Sequence, residues 1–454
     1  MTTYRIERDS MGEIRVPKDA LWGAQTQRSL ENFLIGQEKM PQELINGLIA
    51  LKKACAQANF AEGKLSSEQC QGIVEACETL LATDNSLHFP LCLWQTGSGT
   101  QTNMNVNEVI ANLASQKGYG DIHPNDQVNM SQSSNDVFPT AMHIAAYHEL
   151  QQQLMPELAK WVILLGQMED QYRDVLKIGR THLQDATPLS FGQEISGWKT
   201  MIERSLKAIE ESSRGLLLLA IGGTAVGTGI NASAAFGESV SQRLAKEYGH
   251  SFISDPNKFF ALTSHQPISY VHGSLRSLAS DLMKIANDIR WMASGPRCGI
   301  GEISIPSNEP GSSIMPGKVN PTQAEALTMI VAQVMGNDTT IQVAASQGNF
   351  ELNVFKPVIS FNYLQTVTLL TDGMRSFREK CLSGLIPNQE KMSQLLTESL
   401  MLVTALSPHI GYEKSAEIAK KAAAEEATLT ESALALGYAT AEELADWLDP
   451  RKML

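Results

Sequence analysis

Metal-binding cysteine spacing is missing from this sequence. The six cysteines, Cys55, Cys70, Cys77, Cys92, Cys298 and Cys381, form no C-x-x-C pair, which argues against zinc sites and iron–sulfur ligand runs. Scattered as they are along 454 residues, they fit buried small apolar side chains in a reducing compartment better than disulfides. The opening "MTTYRIERDSMGEIRVP" has no apolar signal core, and no apolar run approaches membrane-spanning length, so a cytoplasmic protein with no membrane partner is expected. Positive charge is in deficit. With 36 Lys and Arg against 49 Asp and Glu, the net charge of −13 argues against a nucleic-acid or anionic-membrane partner, and any anionic ligand must meet local positive groups. Aromatics are only 6% of residues, and clear β alternation is confined to "YRIER" and "EIRVP" around "DSMG", which predicts one short hairpin.

What remains is helical. The chain is 43% hydrophobic with 18 methionines, which leans toward an all-α fold of Ala/Leu/Met-rich helices. Helices are predicted from Gln42 to about Asn59 and from Ser67 to Ala82, then over 138–176, 189–214, 232–249, 269–294, 321–346 and 350–382. Within 269–294, Val271, Leu275, Leu278, Leu282, Ile285, Ile289 and Met292 alternate at spacings of four and three, which predicts a bundle-core stripe with a wider use in assembling subunits. A three-part chain is expected: 1–136 with the hairpin and helices, 137–382 as the long-helix bundle, and 383–454 as a small helical domain.

Four polar segments punctuate the helices: "TGSGTQTNMNVNE" (96–108), "HPNDQVNMSQSSND" (123–136), "GRTHLQDATP" (179–188) and "GSSIMPGKVNP" (311–321). Each is read as a helix boundary. In the last, Asn320 is expected as N-cap, Pro321 at the first helical position and Gln323 completing a capping box. Free N–H groups at such a helix start, with Lys318 beside them, suit a carboxylate or phosphate. Uncharged hydroxyls and amides in the other segments can orient carboxylate oxygens, although four independent helix caps would have the same composition.

Together these segments resemble the fumarase/aspartase superfamily of helical lyases, over nearly the whole chain from "DSMGEIRVP" and "WGAQTQRS" (22–29) to "ESLMLVTALSPHIGY" (398–412). "GSSIMPGKVNP" looks like its signature loop. His182 stands where aspartases typically carry glutamine, so the sequence resembles the iron-independent, class II fumarases. The resemblance implies a long-helix bundle and reversible hydration of fumarate to L-malate without metal or cofactor. It also implies a homotetramer whose active sites are shared between subunits.

That chemistry needs a base for a weakly acidic C–H, an acid for the departing hydroxyl, and donors for a doubly negative aci-carboxylate. The resemblance implies Ser312 as the carbon base and His182, paired with Glu325, as the group handling the hydroxyl proton. It implies substrate contacts at Ser98, Gly99, Thr100, Ser133, Ser134, Asn135, Thr181, Ser313, Lys318, Val319 and Asn320. "HPND", His123, Pro124, Asn125 and Asp126, resembles a secondary dicarboxylate site, although Gly120 stands where many relatives carry arginine.

Two rivals remain. Aspartate ammonia-lyase chemistry belongs to the same superfamily, with His182 as the discriminating residue. A dinucleotide-dependent oxidoreductase is suggested by Gly227, Gly229 and Ala232 in G-x-G-x-x-A spacing, but no repeated βαβ pattern surrounds them.

Overall fold

The computed structural model describes residues 3–454. Hairpin β1 (Tyr4–Asp9) and β2 (Gly12–Pro17) precedes α1 (Ala24–Asn32), α2 (Gln42–Ala61), α3 (Ser67–Ala82), α4 (Thr100–Gln116) and α5 (Ser134–Glu149). A π-helical turn joins α5 to α6 (Met155–Gln171), and a second hairpin, β3 (Leu176–Thr181) and β4 (Gln184–Ser190), leads into α7 (Phe191–Ser212). Then come α8 (Phe236–Tyr248), α9 (Lys258–Thr263), α10 (Gln266–Met292), α11 (Thr322–Ala345) and α12 (Lys356–Lys380). Five short helices close the chain: α13 (Gln389–Glu398), α14 (Ser407–Ile410), α15 (Tyr412–Glu425), α16 (Leu429–Leu436) and α17 (Ala441–Trp447). The fold class is all-α, as expected. No helix among the described residues is long and apolar enough to cross a membrane.

One compact unit comprises, among the described residues, 3–156, 207–279 and 331–371. Helix α2 is its axis, because its Leu, Ile and Ala side chains are buried on nearly every face and pack against α3, α5 and α8. Lys52 is fully buried there, and its amine survives by donating to Asn129 Oδ1 (2.9 Å) and Gln132 Oε1 (2.8 Å). A buried polar chain, Asp338–His272–Thr366 with 2.8 and 2.9 Å links, fixes the register of α10, α11 and α12 within this unit.

The other unit comprises 157–206, 280–330 and 372–454. Trp161 stacks on Phe377 at 5.8 Å and donates its indole N–H to Met374 O at 3.0 Å. Buried aromatics of this size contribute about 1.5–3 kcal/mol each through apolar area removed from water. The C-terminal helices pack Leu402, Leu406, Ile418, Leu429 and Leu444 into one cluster with Ile178 of β3.

The structure corrects three expectations. The helix expected over 138–176 ends at Gln171, and "GRTHLQDATP" forms the β3–β4 hairpin where a helix boundary was expected. Adjacent Lys177 and Ile178 are both buried, so the first strand shows no period-two alternation that would betray it. Second, Asn320 does not cap α11. Pro321 O accepts the first helical N–H, from Glu325 at 3.0 Å, while the Asn320 amide turns back to Gly311 O and Gln323 accepts from Ser376. Third, all seven stripe residues of α10 are already buried within one chain, so they cannot also form a subunit interface. Tyr270 and Trp291 of the same helix are exposed.

Candidate active site

In the first unit, two helix N-termini meet. Gly99 sits at φ 79°, and a Cβ there would run into the Phe138 ring of α5, so only glycine permits this approach. The turn sets the Ser98 and Thr100 hydroxyls 2.9 Å apart at the start of α4. Ser133 caps α5, its Oγ accepting from Asn135 N at 3.2 Å while Asp136 Oδ1 accepts from Ser133 N at 2.9 Å. Asn103 of α4 donates to Ser134 Oγ at 2.9 Å, so the first two polar segments share one site wall. Asn135 donates to Ala225 O at 2.8 Å. Asp136 is buried and also accepts from Gly222 N (3.0 Å) and Thr224 N (2.9 Å); burial raises its carboxyl pKa against those donors.

The remaining candidates of this unit lie apart from catalysis in form. His123 Nδ1 accepts backbone N–H groups from Asn125 (3.3 Å) and Asp126 (3.2 Å) and so caps the turn beginning at Pro124. A nitrogen accepting these bonds cannot donate to Asp126, and the 3.4 Å approach between the two is not a charged pair. Gly120 lies at φ 78°, where an arginine would be strained. Gly227 and Gly229 lie among turns before α8. The parallel pairing nearby is two residues long, Leu218–Leu219 with Ile253–Ser254, so the dinucleotide reading fails for want of a βαβ unit.

In the second unit, His182 and Leu183 form the two-residue tip of the β3–β4 hairpin, closing Thr181 against Gln184. Both have left-handed backbones, φ 56° and 60°, in a turn that usually takes Asn-Gly. Two non-glycine residues held in this region carry a strain that points to function. Below the tip, Arg180 grips Glu302 through paired bonds of 2.9 and 3.0 Å, and Lys177 bridges Glu302 (3.5 Å) and Glu194 (3.0 Å).

The 311–320 loop closes on itself. Gly311 N donates to Lys318 O at 3.0 Å, and a Cβ on Gly311 would collide with that carbonyl. Ser312 Oγ accepts N–H groups from Ile314 (3.2 Å) and Met315 (3.1 Å). Ser313, Lys318 and Val319 are exposed, as are Ile314 (83%) and Met315 (48%). His182 and Glu325 are exposed too, and neither side chain has a polar partner among the described residues of the chain.

Sequence reading passed over Asp136, Glu302 and Arg180. Asp136 was legible as the last residue of a Ser-x-x-Asp box. Nothing local marks Glu302, whose partners lie more than a hundred positions away.

A lyase family model matches residues 12–336, and a model described as the fumarase C C-terminus matches 402–454. The class is thus a lyase. A fumarate hydratase class II from Listeria monocytogenes (serotype 4b, strain F2365) is 61% identical over 450 residues, covering 99% of both chains. The corresponding protein from Bacillus subtilis (strain 168) is 59% identical over 456 residues with the same coverage. The solved structure of a recombinant class II fumarase from Schistosoma mansoni superposes with a TM-score of 0.96 at 42% identity, over 99% of each chain. This chain belongs to the class II fumarate hydratase family.

Proposed function

We propose that this chain catalyses the reversible hydration of fumarate to L-malate, with Ser312 as the base that takes the C3 proton of malate. The observation carrying this is the pair of N–H groups on Ser312 Oγ. A free serine hydroxyl is far too weak a base. Two donors aimed at its lone pairs favour the alkoxide, each hydrogen bond to a charged oxygen being worth about 1.5–3 kcal/mol.

The C3 proton passes to Ser312 Oγ, and its electron pair moves into the adjacent carboxylate to give the aci-carboxylate. Lys318 and Asn320 stabilise that added charge, with Ser313 and Val319 completing the loop contacts. The C2–O bond then breaks as the hydroxyl receives a proton from His182, directly or through water, and leaves as water. Glu325 holds the imidazole for that transfer. Ser98, Gly99, Thr100, Ser133, Ser134, Asn135 and Thr181 hold the carboxylates in place.

A homotetramer whose subunits share each site fits these groups. His182, Glu325 and Lys318 are exposed in the single chain, as are the apolar loop residues Ile314 and Val319, and assembly would give them partners. His123, Pro124, Asn125 and Asp126 form a candidate secondary dicarboxylate site at the surface. A cytoplasmic setting agrees with five cysteines in the chain being buried or half-buried and none bonded to another. The relatives' names favour this reading over aspartate ammonia-lyase.

Exchange of the malate C3 hydrogen with deuterated solvent tests the base. Ser312→Ala is expected to abolish exchange and dehydration together. Exchange at the wild-type rate with dehydration lost would transfer the role to another group.

A further inference from the structure

Helix α12 begins with a lysine where a lysine does not belong. The first turn of a helix carries partial positive charge and favours acids, and lysine is almost never fully buried without a partner. Lys356 is nevertheless the first residue of α12, is 0% exposed, and its amine has no hydrogen-bond partner among the described residues. Such a group needs an explanation beyond packing.

Its position supplies one. The Lys356 backbone N–H donates to Gly97 O at 3.2 Å, and a Cβ on Gly97 would collide with Val354 O, so the start of α12 is pressed against the turn that presents Ser98 and Thr100. The N-termini of α4 and α5 meet at the same place through Gly99–Phe138 and Asn103–Ser134. Three positive helix ends and a buried amine therefore surround one wall. The charged neighbours do not neutralise it. Asp136 of α5, whose charge acts on Lys356, spends its oxygens on the Ser133, Gly222 and Thr224 N–H groups and is also within reach of the Lys52 and Lys258 charges. His265, just before α10, lies within charge range of both Lys356 and His143 of α5, and neither of its ring nitrogens has a partner among the described residues.

We propose that Lys356 is a positioning residue whose amine becomes fully protonated as a dicarboxylate docks on the Ser98–Thr100 turn, so that substrate binding draws one proton from solvent onto this side chain. The dianion supplies the countercharge that the protein withholds, and the charged lysine fixes one carboxylate while the reacting carbon stays free to meet the base. Burial lowers the Lys356 pKa to about 7, with Asp136 opposing the shift, so the free protein at neutral pH holds the amine partly uncharged. The inference rests on the fumarate-hydration reading.

The test is calorimetric titration of the intact assembly with succinate, a saturated dicarboxylate that cannot react, in two buffers of different ionisation enthalpy at pH 7. Wild type is expected to take up about half a proton more per site than Lys356→Met, which loses that uptake and binds at least about tenfold more weakly. Lys356→Arg, permanently charged, is expected to restore affinity without restoring proton uptake, which a purely structural lysine would not do. Equal proton stoichiometry and affinity in wild type and Lys356→Met overturns the proposal, and so does a Lys356→Arg that takes up the wild-type proton count. Fumarate hydration by the same wild-type sample separates the failures. Hydration with no Lys356-dependent uptake sinks this inference alone, whereas neither hydration nor succinate binding sinks both readings.

Discussion

Arg180 and Glu302 face each other in a bidentate pair of 2.9 and 3.0 Å, with the glutamate carboxylate fully buried. The pair anchors the hairpin whose tip carries His182, two residues beyond the arginine. Removing the arginine leaves buried Glu302 only the longer 3.5 Å approach of Lys177, and breaking a buried pair typically costs about 3–5 kcal/mol. Arg180→Ala is therefore expected to lower unfolding free energy by about 3 kcal/mol, measured in denaturant, and to lower kcat through a displaced hairpin tip. Arg180→Lys cannot reproduce the fork and is expected to recover only part of either loss.

With Ser312 as the proposed carbon base, Ser312→Ala removes an interaction needed only in the transition state. The expected result is a fall in kcat of about a hundredfold or more, with inhibition by a saturated dicarboxylate nearly unchanged. Equal loss of kcat and inhibitor affinity would assign Ser312 to binding.

Gly311→Ala tests loop closure separately from chemistry. Its Cβ meets the Lys318 carbonyl, a backbone atom that cannot swing aside, so the base of the loop must open. The loop is exposed, and the thermal midpoint is expected to move little while kcat falls and KM rises. A stable variant with wild-type kinetics would show that the loop's closed base is not required.

How much of this was readable beforehand depended on range. The α10 stripe at four-three spacing and the Ser133 cap are local patterns, and both are found in the structure. The β3–β4 hairpin escaped because its turn, His182-Leu183, uses residues that ordinarily avoid left-handed backbone, so the usual Gly or Asn marker is absent. Asn320 misled for a related reason. An Asn-Pro pair ahead of a helix has the composition of a cap, but its amide closes the loop onto Gly311. Nothing in the sequence around Lys356 sets it apart from a surface lysine, and only tertiary burial distinguishes it.

Buried and half-buried histidines set an acid limit on stability. Burial lowers the His265 pKa to about 3 and lowers those of His143, His148 and His250 as well, the last two lying 3.3 Å apart. An unfolded chain protonates these rings near pH 6.5 while the folded chain refuses the proton. Their contribution is thus intact above about pH 6.5 and is lost as pH falls, for His265 down to about 3, at up to about 1.4 kcal/mol per pH unit per ring. His265→Gln is expected to flatten the decline in thermal stability between pH 6.5 and 5 relative to wild type. An unchanged slope would mean that His265 is protonated in the folded chain.

The most direct measurement of the whole account is ultraviolet absorbance of the conjugated product when the purified protein is given L-malate and, separately, L-aspartate. The account predicts a rise with L-malate that Ser312→Ala abolishes, and no rise with L-aspartate. Product from L-aspartate, or none from L-malate, would contradict it.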